Sequence, residues 1–333
     1  MASFPTVRVA AVQATPVMLD GDACVELAVE RMREAAAEGA QLVVLPECFI
    51  SFYPKSWLTV SNWDSRQTAL WERMWMSAVD IPGPHVDRLA AACAELGVHL
   101  AIGVNERESS RPGTLYNTLL IIGPGGLLHR HRKLMPTHHE RLFHGIGAGD
   151  DLGVADTPVG RLGGLVCWEN FMPLARYALY RMGPQIWVAP TMDDRDIWTA
   201  LMRTIAFEAG AWVIGVTQYQ HRSQFPADLP VDLPADRPDE LSRGGSVIVE
   251  AGSGDIVAGP LYGGEGMLIH DCDLRVGLRA KQGFDAVGHY ACPVAPLAAA
   301  WMASAAASVS ASCARLSGRC RLTRAKRRAT PPG

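Results

Sequence analysis

The feature that most constrains the fold is a series of short apolar runs, each long enough for one β-strand. Examples are VRVAAVQ, QLVVLPE, VHLAIGV, LGGLVC, QIWVAPT and AWVIGVTQ. Helical periodicity of apolar residues separates several of them, at residues 22–37, 85–96, 172–182 and 196–209. Because many runs are apolar at consecutive positions, both faces of their strands must be covered. The pattern therefore predicts an α/β fold in which helices or a second sheet cover each sheet.

The composition is typical of a globular protein and excludes several other classes. Of the 333 residues, 48% are hydrophobic and 20% are charged. The eight cysteines are widely spaced and include no CxxC pair, so neither a disulfide framework nor a zinc or redox motif is expected. The first residues lack the pattern of a secretory signal, and no stretch has the length and hydrophobicity of a membrane helix. These observations predict a cytoplasmic protein with no membrane partner.

The charge is unevenly distributed along the chain. The net charge at pH 7 is −3, yet residues 291–333 contain seven Lys/Arg and no acidic residue, so the preceding residues are acidic. An acidic body argues against a nucleic-acid partner. Residues 1–290 are expected to form a single domain, and 291–333 an atypical Ala/Ser/Arg-rich tail that is predicted to be disordered. The Pro- and Asp-rich residues 220–245 are predicted to form a long surface loop.

A cysteine in the segment GRLGGLVCWENFMPLARYALYRMG raises the first functional hypothesis. Cys167 ends an apolar run and is followed at once by WEN, although a cysteine among apolar residues is usually an inert small hydrophobe. We expect a strand before it and, after it, a helix that Asn170 caps and Gly183 ends. The positive end of such a helix would favour the thiolate of Cys167, which is the nucleophilic form.

A thiol nucleophile needs a base, and the sequence leaves more than one candidate. A histidine is the commonest partner, but none of the ten histidines has a spacing that identifies it. In LVVLPECF, an apolar strand delivers Glu47, whose pKa would be raised by burial toward the range of a general acid and base. In LLHRHRKLMPTHHERLFHGIG, a strand-like run delivers Lys133 and the next turn delivers Glu140. A lysine beside these groups would stabilise developing negative charge.

Together these segments resemble the nitrilase superfamily of carbon–nitrogen hydrolases, and specifically its nitrilase branch. The matching pieces are LVVLPECFI, HRKLMPTHHERLFHG and GRLGGLVCWENFMPLARYALY, with further matches at GTLYNTLLIIGPGG, APTMDDRDIW and FDAVGHY. The string CWEN followed by MPL is the element most specific to the branch. The resemblance runs from about Val7 to Tyr290, so it covers the whole predicted domain.

The resemblance implies roles for individual residues. Cys167 would be the nucleophile, Glu47 the general base and acid, and Lys133 the group that stabilises the tetrahedral intermediate. Glu140 matches a second glutamate that positions Lys133. Trp168 would contribute its backbone amide to an oxyanion site, and its side chain, with that of Tyr53, would line the substrate pocket.

The resemblance also implies a reaction, a fold and an assembly. An organic nitrile would be hydrolysed to its carboxylic acid and ammonia through a thioimidate and a thioester, with no metal and no organic cofactor. The fold would be a two-sheet αββα sandwich, which a homodimer extends to αββα-αββα and which larger spiral homo-oligomers repeat. The alternatives are an amidase or carbamoyl hydrolase of the same superfamily, a cyanide dihydratase, or a catalytically silent binding protein.

Two departures from the family pattern stand out. His144 occupies a position where family members commonly have tryptophan, which affects the expected substrate preference. After GHYACP, the family continues with a hydrophobic strand and an arm, whereas this chain has the appearance of a different reading frame. The histidines of HHERLFH are not spaced as in HExxH, so no zinc site is expected there.

Overall fold

The computed structural model describes residues 4–58, 63–110 and 112–291. The part through Val287 belongs to one compact unit, and nearly all of the predicted tail lies outside the described residues. In chain order the helices and strands of these residues are β1 (Thr6–Gln13), α1 (Gly21–Ala37), β2 (Leu42–Val44), α2 (Ser65–Met76), α3 (Pro84–Leu96), β3 (His99–Arg107), β4 (Leu115–Gly123), β5 (Gly126–Arg132), β6 (Val154–Thr157), β7 (Gly160–Gly164), α4 (Pro173–Tyr180), β8 (Ile186–Thr191), α5 (Asp196–Ala209), β9 (Trp212–Thr217), β10 (Tyr219–His221), β11 (Glu240–Val249), β12 (Ile256–Tyr262), β13 (Gly266–Asp273) and α6 (Arg275–Gly283).

The strands form two mixed sheets. In the first sheet the spatial order is β13-β1-β2-β3-β4-β5, with β1, β2 and β3 parallel to one another. In the second sheet the order is β10-β11-β9-β8-β7-β6, with β12 paired to β11 and with β7, β8 and β9 parallel. The parallel strands lie in the middle of each sheet, where both faces are buried.

The alternation along β1 shows how the sequence produces four layers. Val9 and Ala11 point to one face of the strand and pack with residues of β7, β8 and β9 in a core between the two sheets. Ala10 and Val12 point to the other face and pack under α1 and α3. On the second sheet, α4 and α5 cover the outer face in the same way. The αββα sandwich that the sequence predicts is therefore confirmed.

Among the described residues, four α-helices were predicted from the sequence and two were not. The four predicted helices correspond to α1, α3, α4 and α5, although α4 ends at Tyr180 and not at Gly183. The helices α2 and α6 were not predicted, because each contains many polar residues and buries few side chains. No helix of the described residues is long and apolar enough to cross a membrane.

The predicted loop at 220–245 is irregular in its middle and ordered at its ends. Its first residues belong to β10 and a short 3₁₀ turn, and its last residues begin β11. Between them, Phe225 and Val231 are buried in a satellite core with Phe52, Leu70 and Phe143. The loop thereby covers the chain segment that leads from Glu47 into α2.

Candidate active site

The three main candidate residues follow three different strands and lie together in the interior. Glu47 comes shortly after β2, Lys133 directly after β5, and Cys167 shortly after β7. β2 and β5 belong to the first sheet and β7 to the second. All three residues are at most 2% exposed. The site is therefore built between the sheets, at the ends of strands that the sequence separates by up to 120 residues.

Lys133 bridges two buried carboxylates. Its Nζ lies 2.8 Å from Glu47 Oε1 and 2.8 Å from Glu140 Oε2. A second contact of 2.9 Å to Glu140 Oε1 completes the hydrogen bonds of the ammonium to these carboxylates. Glu140 is held by its own short turn, since its carboxylate accepts a hydrogen bond from the Thr137 amide. Two carboxylates and one ammonium group thus share a fully buried site.

One carboxylate oxygen of Glu47 accepts hydrogen bonds, and the other has no hydrogen-bond donor among the described residues. Oε1 accepts hydrogen bonds from Lys133 Nζ and from Asn117 Nδ2, the latter at 2.7 Å. Oε2 is buried and has no hydrogen-bond partner among the described residues. The Gln218 side chain fixes the backbone here, because its Nε2 donates to the Glu47 carbonyl at 2.8 Å. An oriented carboxylate with a free lone pair is suited to accept a proton.

Burial and mutual charge set the protonation tendencies of this cluster. Burial raises the pKa of Glu47, the direction that the sequence predicted, although Lys133 opposes the rise. Burial alone would lower the pKa of Lys133, but the charges of Glu140 and Glu47 outweigh it and raise that pKa well above its usual value. Burial also opposes ionisation of Glu140, yet the charge of Lys133 leaves its pKa lowered. The stable arrangement is a lysine cation with an ionised Glu140.

Cys167 sits on a strained turn and not on the end of a long helix. Its φ is +52°, in the left-handed region that a cysteine rarely adopts. It begins a 3₁₀ turn, Cys167–Phe171, and α4 starts only at Pro173. The prediction that Asn170 caps this helix is wrong, because Met172 is the residue that precedes α4. The side-chain amide of Asn170 donates to the carbonyls of Leu165 and Cys167 and so locks the turn from inside.

The resting state of the thiol differs from the sequence-based expectation. Burial raises the pKa of Cys167, and the charge of Glu47 adds to the rise. Lys133 and a 3.1 Å hydrogen bond from Thr191 Oγ1 to Sγ oppose it without reversing it. The expectation of a thiolate stabilised by a helix terminus is therefore wrong, because the 3₁₀ turn supplies little dipole and the thiol itself is buried. The thiol needs a base at the moment of reaction.

A cavity of about 510 Å³ opens at Cys167, and both predicted pocket residues, Tyr53 and Trp168, line it. Tyr53 is buried in its wall, and burial together with the charge of Glu140 raises the pKa of the phenol well above its usual value. Trp168 is 40% exposed, and its Nε1 donates to Asp193 Oδ2 at 2.8 Å. Arg195 pairs with the same carboxylate at 2.6 Å and lies over the indole. The indole is thus held at the cavity mouth by a hydrogen bond and a stacked cation.

Trp168 follows the nucleophile in the Cys167–Phe171 turn. The first backbone hydrogen bond of the turn runs from the Glu169 amide to the Val166 carbonyl at 3.1 Å. The preceding Trp168 amide therefore has no acceptor within the turn. Its contribution to an oxyanion site stays a prediction.

His144 lies next to Glu140 and bonds to the polypeptide on both sides. Its amide donates to the Glu140 carbonyl, and its Nε2 lies 2.7 Å from Asn105 Oδ1. Burial lowers the pKa of His144 to about 4, so the ring is neutral beside Glu140. Among the described residues, no group of three or more His, Cys, Asp or Glu side chains could hold a metal ion.

Several residues of the site were not singled out from the sequence. Asn117 reaches Glu47 and lies 3.5 Å from Glu140, and Thr191 and Gln218 bond to Cys167 and Glu47. The available signal was weak: each is a polar residue in or beside an otherwise apolar strand. Such a residue must find a partner inside the protein, but the sequence does not show which one.

Comparisons with known proteins identify the family. Residues 8–281 match the family model described as carbon–nitrogen hydrolase. A bifunctional nitrilase/nitrile hydratase of Nicotiana tabacum is 42% identical over 299 residues, which cover 87% of this chain and 85% of that protein. An aliphatic nitrilase of Sinorhizobium fredii is 44% identical over 291 residues, covering 86% and 92% respectively.

A solved structure supports the fold independently. The crystal structure of Saccharomyces cerevisiae Nit3, a member of branch 10 of the nitrilase superfamily, matches with a TM-score of 0.67. The match covers 87% of this chain and 98% of that one at 21% identity, so it bears on the fold alone. The family model and the curated relatives show that the chain belongs to the carbon–nitrogen hydrolase family, in its nitrilase branch.

Proposed function

We propose that this protein hydrolyses an organic nitrile to the carboxylic acid and ammonia, with Cys167 as nucleophile, Glu47 as general base and acid, and Lys133 as the stabilising cation. The observation that carries the proposal is the open, buried Oε2 of Glu47 in the same charged cluster as Lys133 and Cys167. The names of the relatives, which include nitrilases from plants and a bacterium, support the same reaction.

The first half of the reaction forms a covalent bond to sulfur. Glu47 takes the proton of the Cys167 thiol, which cannot ionise unaided because of its raised pKa. The sulfur adds to the nitrile carbon, and the nitrogen takes the proton back from Glu47 to give a thioimidate. Lys133 and the Trp168 amide stabilise the charge that develops on nitrogen. Glu140 keeps the Lys133 ammonium in place during this step.

The second half releases the products. Glu47 takes a proton from a water molecule, whose oxygen adds to the thioimidate carbon. Glu47 passes this proton to the nitrogen of the tetrahedral intermediate and then transfers the hydroxyl proton to the same nitrogen. The carbon–nitrogen bond breaks as the carbonyl forms, and ammonia leaves a thioester on Cys167. A second water adds in the same way, the carbon–sulfur bond breaks, and the acid leaves with the thiol restored. The nitrile carbon is already electrophilic, so the chain's own groups complete every step.

The cavity sets the size of the substrate and leaves its identity open. Its volume of about 510 Å³ lies within the range of small-molecule sites. Its wall combines Tyr53, Trp168 and Met192 with the polar side chains of Lys55 and His139. Aliphatic, arylacetic and aromatic nitriles all remain candidates, as does cyanide.

Partial release of amide is the second candidate activity. Five of the curated relatives are named bifunctional nitrilase/nitrile hydratase. The tetrahedral intermediate can also lose sulfur before ammonia, which would give the amide. An amidase or carbamoyl hydrolase would use the same residues with an amide as substrate.

We further propose that the protein is a cytoplasmic homodimer or larger homo-oligomer, with residues 1–290 as its catalytic domain. Exposed apolar side chains on the outer helices α4 and α5, which include Leu174, Ile197 and Phe207, support assembly. The described cysteines all carry free thiols, which fits a reducing compartment.

The test is release of ammonia by the purified protein from a panel of nitriles and their matching amides, with products separated by chromatography. We expect acid from nitriles and no turnover by Cys167→Ala. Cys93→Ala is the matched control, because Cys93 is equally buried but lies in α3. Turnover of amides alone would contradict the nitrilase proposal and favour the amidase, and turnover by Cys167→Ala would contradict the assigned nucleophile.

A further inference from the structure

A second buried charged cluster lies beside the active site without joining the proposed reaction. Asp151, His131 and Glu169 form a chain, here called the His131 cluster. His131 Nδ1 lies 2.9 Å from Asp151 Oδ1, and its Nε2 lies 3.2 Å from Glu169 Oε1. The side chains of His131 and Glu169 are fully buried. Burial opposes the charge on the ring, but hydrogen bonds to both carboxylates raise the pKa of His131 to about 10. The ring is an imidazolium at neutral pH.

The carboxylates of this cluster hold the backbone on both sides of Lys133. Asp151 Oδ2 accepts a hydrogen bond from the Arg132 amide at 2.8 Å. Glu169 Oε1 accepts one from the Leu134 amide. Lys133 is therefore flanked by two peptide groups, each fixed to one end of the cluster.

The same cluster holds the backbone next to the nucleophile. Glu169 Oε2 accepts a hydrogen bond from the Val166 amide at 2.7 Å. Val166 immediately precedes Cys167, whose left-handed backbone begins the turn. One carboxylate thus bonds both to the segment that carries Lys133 and to the segment that carries Cys167.

The topology makes this connection important. Lys133 follows β5 at the edge of the first sheet, whereas Cys167 follows β7 in the second sheet. No ladder of backbone hydrogen bonds joins these two strands among the described residues. The relative placement of the ammonium and the thiol depends on contacts between the sheets, and apolar packing between sheets has little directional preference. Charge-assisted hydrogen bonds have a defined geometry.

We propose that the His131 cluster is a positioning device that fixes Lys133 relative to Cys167. By fixing the position of Lys133, the cluster determines which bond of the tetrahedral intermediate breaks. The proposal rests on the nitrile hydrolysis proposed above. With Glu47 and Lys133 well placed, the nitrogen is protonated, the carbon–nitrogen bond breaks and ammonia leaves. When they are displaced, the carbon–sulfur bond breaks first, sulfur leaves as the thiolate, and the hydroxyl proton passes to Glu47 to give the amide.

The test compares Glu169→Gln and His131→Gln with the wild-type protein on one nitrile. Turnover is expressed per molecule of protein whose Cys167 is alkylated by iodoacetamide, as located by peptide mass spectrometry. A displacement of about 1 Å at reacting groups costs about 10²-fold in rate. We therefore expect kcat to fall about 10- to 100-fold, KM to change less than about threefold, and the amide fraction of the product to rise.

A control separates positioning from a loss of stability. Asp80→Asn breaks the Arg107–Asp80 ion pair, whose closest contact is 2.7 Å and which bonds to no segment that carries a proposed catalytic residue. It should lower the melting temperature while leaving kcat per reactive thiol and the amide fraction unchanged. Asp151→Asn is the milder variant, because the Asp151 side chain is 16% exposed, and it covers the case in which the other two variants do not fold.

The outcomes are distinguishable from those of the proposed function. If the wild-type protein hydrolyses nitriles, and the folded variants keep its kcat per thiol and its amide fraction, the positioning role is overturned while the proposed function stands. If Asp80→Asn shifts the product ratio as far as the cluster variants do, the effect is one of general stability and the inference fails. If the wild-type protein turns over no nitrile, the proposed function fails first.

Discussion

Replacing Lys133 by methionine tests the electrostatic account of the site most directly. In the protein Lys133 compensates two buried carboxylates at 2.8 Å each. Removal of one partner from a buried ion pair costs about 3–5 kcal/mol, since the remaining charge loses its compensation without regaining water. For a chain of this size, about 2 °C is lost per kcal/mol, so the expected fall in melting temperature at neutral pH is about 6–10 °C.

The pH dependence of that loss has a definite sign. Without the lysine, burial raises the pKa values of both Glu47 and Glu140 above those of the unfolded chain, so the folded state binds more protons. The free energy of unfolding then falls as the pH rises from the pKa of a glutamate in the unfolded chain to the raised pKa values of the folded state. Each unit of difference in pKa corresponds to about 1.4 kcal/mol. The Lys133→Met variant should therefore be closest to the wild-type protein near pH 5 and furthest from it near pH 8.

The assay is the melting temperature of the wild-type protein, Lys133→Met and Lys133→Met/Glu140→Gln between pH 5 and pH 8. The double variant removes one of the two uncompensated charges at nearly constant shape, so it should recover part of the loss at pH 8 and little at pH 5. The reasoning is refuted if Lys133→Met loses the same number of degrees at every pH, or if the second substitution brings no recovery at pH 8.

Three further predictions concern catalysis. Glu47→Gln should lower kcat by about 10²–10⁴-fold with little change in KM. In the wild-type protein, kcat/KM should fall with decreasing pH, and the midpoint of this fall should lie above the usual glutamate pKa, because the raised pKa of Glu47 leaves the carboxyl group protonated there. A midpoint at or below the usual glutamate pKa would contradict this. Thr191→Val removes the hydrogen bond to Cys167 Sγ and should slow alkylation of Cys167 by about tenfold or more, since hydrogen bonds to charged groups contribute about 1.5–3 kcal/mol, whereas Thr191→Ser should alkylate like the wild-type protein. Trp168→Ala removes the indole at the cavity mouth and should raise kcat/KM for bulky nitriles relative to small ones. Steady-state kinetics with one bulky and one small nitrile measure this shift. Equal changes of kcat/KM for both nitriles would disprove it.

Much of the fold could be predicted because it rests on local patterns. Consecutive apolar residues, as in VRVAAV, require a strand buried on both faces, and the periodicity of residues 22–37 requires an amphipathic helix. The positions of Glu47 and Cys167 at the ends of apolar runs, and of Lys133 after a strand-like run, could be read in the same way, and the resemblance to a known family added the expected roles. The helices α2 and α6 could not be predicted, because many of their residues are polar and they bury few side chains.

The chemistry of the site depended on tertiary structure. The sequence by itself determined which nucleophile, acid and cation are present and that strands would deliver them to one region. Only the folded protein decided that Asn117 and Thr191 complete the site, and that Cys167 rests as a buried thiol and not as a thiolate. The physical reason is that a pKa depends on solvent exclusion and on charges a few ångströms away. Those charges come from strands far apart in sequence, and their distances are set by how two sheets pack.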